Sequence, residues 1–92
     1  MPTLTLAAPI ARYLPATGER AFAVVGTTVR AALESFFVQA PQMRGYVLDD
    51  QGALRHHVAA FVDGVAVRDK QSLDQVVPPD GEVYLVQALS GG

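Results

Sequence analysis

The chain closes on Leu89-Ser90-Gly91-Gly92, and that run holds its most distinctive chemistry. Two glycines there fit no helix cap, because the preceding EVYLVQ reads as a strand, and no turn, because no chain follows. Residues without β-carbons can instead enter a channel too narrow for side chains and carry a main-chain carboxylate into another protein's active site. The reactive group is then the carboxylate of Gly92, with Gly91, Ser90 and Leu89 lining the approach and Leu89 an apolar anchor for the partner's groove. A carboxylate is a poor electrophile, so useful chemistry needs activation, most simply as an acyl-adenylate made from ATP by a partner enzyme. Ordering the tail in such a channel costs about 1 to 2 kcal/mol per residue, more for glycine, which backbone contacts must offset. The competing reading is an inert, frayed end.

Other candidate constellations carry less. His56-His57 suggests a metal site only until strand geometry is considered: adjacent strand residues point to opposite faces, and no third ligand has suitable spacing. Asp49 and Asp50 resemble paired carboxylates, yet Gly52 beside them reads as a solvated loop. No serine, histidine and acid set has recognisable local context, and no glycine-rich phosphate loop appears. The chain has no cysteine, which removes disulfides, thiolate metal sites and sulfur nucleophiles together. Net charge is only -2, with no basic field for nucleic acid or an anionic membrane. The N-terminal MPTLTLAAPIARYLP lacks a charged start, and no apolar run approaches the roughly 20 residues that span a bilayer. The expectation is a cytoplasmic protein that is not itself an enzyme, with no bound metal or cofactor.

The elements that must position the tail follow from periodicity. Thr3 to Ala7 alternates and puts Leu4 and Leu6 on one face; Arg20 to Val25 follows as a second strand, with Phe22 and Val24 sharing a face. The short spacing suggests an antiparallel hairpin. A threonine N-cap then precedes Val29, Ala32, Leu33, Phe36, Phe37 and Ala40, one apolar helical stripe stopped by Pro41. Residues 42–55 are the least patterned, with Tyr46 to Leu48 a possible short strand. His57 to Val62, Asp63-Gly64 and Val65 to Val67 read as strand, tight turn, strand. Ser72 is placed as the cap of one helical turn, LDQVV, and Pro78-Pro79-Asp80-Gly81 turns the chain into a last strand from Val83 to Val86 or beyond.

With 92 residues and one amphipathic helix, the economical arrangement is a single α+β domain. It is a β-grasp roll in which the helix packs across a mixed sheet of four or five strands. The domain covers 1–88, and 89–92 form a flexible tail launched from a last strand that lies beside the first at the sheet's centre. If Val58, Ala60 and Val62 face the helix, then His57, Ala59 and Phe61 turn outward, and an exposed Phe61 would anchor a partner. The alternative packs Phe61 under a loop. Tyr84 and Val86 are assigned to alternate faces of the last strand, so that one of them joins this docking patch.

Three stretches, TTVRAALESF, LRHHVAAFVDGVAVR and PPDGEVYLVQALSGG, resemble the ubiquitin-like sulfur carrier family of the MoaD, ThiS and CysO kind. That family often carries proline in the approach to the tail, where this chain has Gln87 and Ala88. The resemblance implies a carrier that is the substrate of an E1-like adenylating enzyme. Gly92 is adenylated with ATP, a sulfur donor displaces AMP, and the terminal thiocarboxylate gives sulfur to an acceptor enzyme. Acceptors in the family include the molybdopterin synthase large subunit, a thiazole synthase and a cysteine synthase; the length tilts the expectation toward the molybdopterin or cysteine-like branches. A protein modifier joined through Gly92 to lysines, as ubiquitin is, and a plain interaction domain are the alternatives.

Overall fold

Alternating segments with one apolar face must share a core, and the structure, a computed structural model describing residues 1–7 and 20–87, joins them in one mixed sheet. Its strands are β1 (Thr3–Leu6), β2 (Ala21–Ala23), β3 (Val58–Val62), β4 (Val65–Ala66) and β5 (Glu82–Gln87), in the order β2-β1-β5-β3-β4. β1 and β5 run parallel at the centre; β2 is antiparallel to β1, β3 to β5, and β4 to β3. The expected first-and-last-strand core of a β-grasp roll is therefore present. Leu4, Leu6, Val58, Ala60, Val62, Val83 and Leu85 all point inward and are buried.

Helix α1 (Val29–Gln39) covers that inner face. Thr28 caps it, its Oγ1 accepting from the Ala31 amide at 3.1 Å. The predicted stripe is the buried one, ending at Ala40 just before Pro41. Phe36 is fully buried, its ring 4.9 Å from that of Phe22 and 5.5 Å from that of Phe37. Gly26 enters the helix at φ +126°, and a β-carbon there would stand 2.5 Å from that of Ala31. Only glycine fits so close to the helix.

Two connections differ from expectation. Tyr46 to Leu48 is not a strand: Pro41 opens a 3₁₀ turn (Pro41–Met43) that runs into the short helix α2 (Arg44–Val47). Met43 and Val47 seal the core beneath α1, a contact that an extended chain could not make. Only Leu48 is extended, in an isolated bridge to Leu54. Nor does Ser72 cap a helical turn. Asp69 accepts from the amides of Gln71 and Ser72, and Leu73 takes φ +56° with its side chain buried. The following chain lies extended across the start of α1. There Leu73 and Gln75 carbonyls accept from the amides of Arg30 (2.9 Å) and Val29 (3.0 Å), and Val77 donates to Thr27 at 2.8 Å. Donors left unpaired at a helix start thus consume the carbonyls a local helix would have used. Arg30 completes the clamp, donating to the carbonyls of Gly52, Gln71 and Ser72.

The Asp63-Gly64 hairpin is as predicted, with φ of +48° and +85° at the two turn residues. β3 begins at Val58, so His56 and His57 belong to the preceding turn, their rings edge to face at 5.7 Å. Asp49 holds its own loop, accepting from the amides of Gln51 and Ala53. Among the described residues no group of three or more His, Cys, Asp or Glu is placed to hold a metal ion. No described helix is long and apolar enough to cross a membrane.

Candidate docking face and tail exit

The pleat that buries Val83 and Leu85 sends Glu82, Tyr84 and Val86 to the opposite face. Tyr84 and Val86 therefore share a face. The sequence reading that put them on alternate faces is corrected by the period of two: residues two apart on a strand point the same way. Phe61 lies directly across from Tyr84, and Ala59 across from Val86. Phe61, Tyr84 and Val86, the three expected docking residues, thus come together on the outward face.

Register extends the patch across the sheet. Ala21 pairs with Thr5, Thr5 with Tyr84, Tyr84 with Phe61, and Phe61 with Ala66, giving one row from edge to edge. Small residues at both ends leave the two aromatic rings standing above their neighbours. Tyr84 is 37 % exposed; Phe61 and Val86 are half-buried. Thr5 donates to Glu82 Oε2 at 2.9 Å, so a carboxylate is held beside the rings. Sequence reasoning missed Thr5 and Glu82. The signal for Glu82 was its spacing of two from Tyr84, whereas Thr5 enters only through strand register.

β5 is held on both sides, by β1 along Thr3 to Leu6 and by β3 along Val58 to Val62. Its last paired residue is Gln87, opposite Val58. Leu89, Ser90, Gly91 and Gly92, the expected tail-binding and reactive residues, lie outside the described residues.

No protein-family model matches the sequence, and no curated protein matches it. Solved structures do. CysO in a BexX/CysO complex from Amycolatopsis orientalis superposes with a TM-score of 0.83 at 16 % identity, covering 100 % of both chains. CysO from Mycobacterium tuberculosis gives 0.81 at 16 % identity over 97 % of this chain and 100 % of its own. SAMP1 from Haloferax volcanii gives 0.75 at 26 % identity over 99 % and 98 %. This chain has the ubiquitin-like β-grasp fold that CysO and SAMP1 share. The likeness to the Amycolatopsis orientalis protein runs over the whole of both chains.

Proposed function

We propose that this chain is a ubiquitin-like sulfur carrier whose Gly92 carboxylate is activated and thiolated by other enzymes. The carrying observation is the position of β5. A central strand paired with both β1 and β3 ends at Gln87, five residues before Gly92 in the sequence. From Gln87 to Gly92 an extended chain would reach at most ~17 Å. That is enough to enter a narrow channel while Phe61, Tyr84 and Val86 rest on the enzyme's surface. The likeness to CysO and SAMP1 supports the same reading.

The chemistry falls to the partner enzyme. A Gly92 carboxylate oxygen attacks the α-phosphorus of ATP and pyrophosphate leaves; hydrosulfide then attacks the acyl carbon, AMP leaves and the sulfur gives up its proton. The product is a terminal thiocarboxylate whose sulfur attacks the acceptor; water then cleaves the acyl carbon–sulfur bond, leaving sulfur on the acceptor and restoring the carboxylate. The scaffold contributes presentation and no catalytic group, so the chain is substrate and carrier, not enzyme. The acceptor belongs to a molybdopterin or cysteine-like route. The similarity to SAMP1, a small archaeal modifier protein, favours one second reading, in which a lysine amine replaces the sulfur nucleophile.

Removing Gly91 and Gly92 tests the proposal. The truncated chain is expected to keep its thermal midpoint and to lose ATP-pyrophosphate exchange with the host's activating enzyme entirely. Exchange that survives the deletion would refute it.

A further inference from the structure

The outward face is not uniformly apolar. Between Phe61 and Tyr84 lies a hollow of about 360 Å³ lined by Phe61, Gly64, Glu82 and Tyr84. Among the described residues neither ring packs on another aromatic, and the Tyr84 hydroxyl has no hydrogen-bond partner. Glu82 accepts from Thr5 but forms no ion pair there. Asp63 sits alongside, its Oδ1 accepting from the Glu82 amide at 2.9 Å. One carboxylate, that of Glu82, thus borders a slot lined by the Phe61 and Tyr84 side chains, with Asp63 held next to it through the Glu82 amide, and no described basic side chain is paired with either.

We propose that this slot seats an arginine side chain of the enzyme that activates the tail. The choice of that enzyme rests on the carrier reading above; the chemistry rests on the slot. A purely apolar anchor would cover the Glu82 carboxylate and leave its charge without a partner, which is costly. A cation removes that cost. Arginine fits better than lysine because its flat guanidinium stacks on ring faces while its N–H groups pair with a carboxylate. Gly64 adds no side chain to obstruct entry, and space is open where its β-carbon would be. The slot therefore acts as a charge filter on an otherwise apolar docking face, admitting surfaces that carry arginine and disfavouring those that do not.

The test uses the full chain and acetyl-arginine amide as probe, followed through the backbone amide NMR shifts of Phe61, Gly64, Glu82 and Tyr84. Saturable shifts confined to those residues are expected. Acetyl-citrulline amide, which has the same shape without the charge, should bind at least about fivefold more weakly, as should acetyl-lysine amide. Glu82→Gln retains an oxygen for the Thr5 hydroxyl and should keep the fold, checked by its thermal midpoint, while weakening arginine binding about fivefold. Equal binding of citrulline or lysine, shifts centred elsewhere, or an unaffected Glu82→Gln protein would overturn the proposal. So would shifts at these amides that appear on concentrating the protein alone, since they would assign the slot to a second copy. The chain lacking Gly91 and Gly92 should bind the probe normally. Loss of the tail chemistry with probe binding intact, or the reverse, tells failure of one reading from failure of the other.

Discussion

Single residues here act mostly through backbone groups. Asp49 is the clearest case: amides of Ala53 and Gln51 donate to its carboxylate and hold its pKa below the ordinary carboxylate range. Asp69 is lowered in the same way, first by the Ser72 amide. A carboxyl depressed in the folded state stabilises above its unfolded pKa, about 4, and loses that contribution as pH falls through the lower folded value. Urea midpoints are therefore expected to fall between about pH 4 and the acid limit, and the Asp49→Asn, Asp69→Asn double variant should flatten that fall. The loss is screened, since both carboxylates are solvated. A midpoint that drops equally in the variant would contradict this assignment. Residue roles of this kind were partly legible: Asp49 beside Gly52 reads as a loop. Glu82, by contrast, has meaning only once Tyr84 is placed across from Phe61 and Thr5 beside it.

Helix α1 shows where local signals suffice. Thr28→Ala should cost about 1 kcal/mol by removing the bond to the Ala31 amide, whereas Ser72→Ala, at a position that caps nothing, should cost less than about 0.5 kcal/mol. Chemical denaturation of the pair decides whether the cap is correctly located. The helix and the four longer strands were legible because their apolar spacing of 3.6 or 2 is a property of the segment itself. Two stretches were not, because contacts distant in the sequence fix them. The 72–77 chain takes its partners from the start of α1 and from Arg30, and the Tyr46 region is fixed by burying Met43 and Val47 under the helix. Nothing within those residues signals that. Parity on β5 was a different matter, being fully legible from a period of two and misassigned. The short edge strand β2 is guarded as well, its Ala23 carbonyl taking Gln39 Nε2 at 2.7 Å and the neighbouring Val25 amide donating to Ser35. Such blocking keeps an open edge from recruiting other chains.

At the scale of the whole molecule the sheet has two faces, one holding the helix and one that the proposed function assigns to partners. Tyr84→Ala removes an exposed ring from the partner face and should leave the thermal midpoint nearly unchanged. It should raise the KM of the activating enzyme for this chain about tenfold with kcat little altered, the pattern of a lost docking contact. A matched fall in kcat would place Tyr84 in the reacting complex instead. The central strand links this face to the tail in sequence, because the strand that carries Glu82, Tyr84 and Val86 outward ends at Gln87, five residues before Gly92. The most direct test is the intact mass of the protein purified from its own host during active sulfur metabolism. A fraction of chains in which one terminal oxygen is replaced by sulfur, localised to Gly92 by fragmentation, is the predicted result. A Gly92 that stays an unmodified carboxylate under every such condition, in cells whose other sulfur carriers are loaded, would contradict the account.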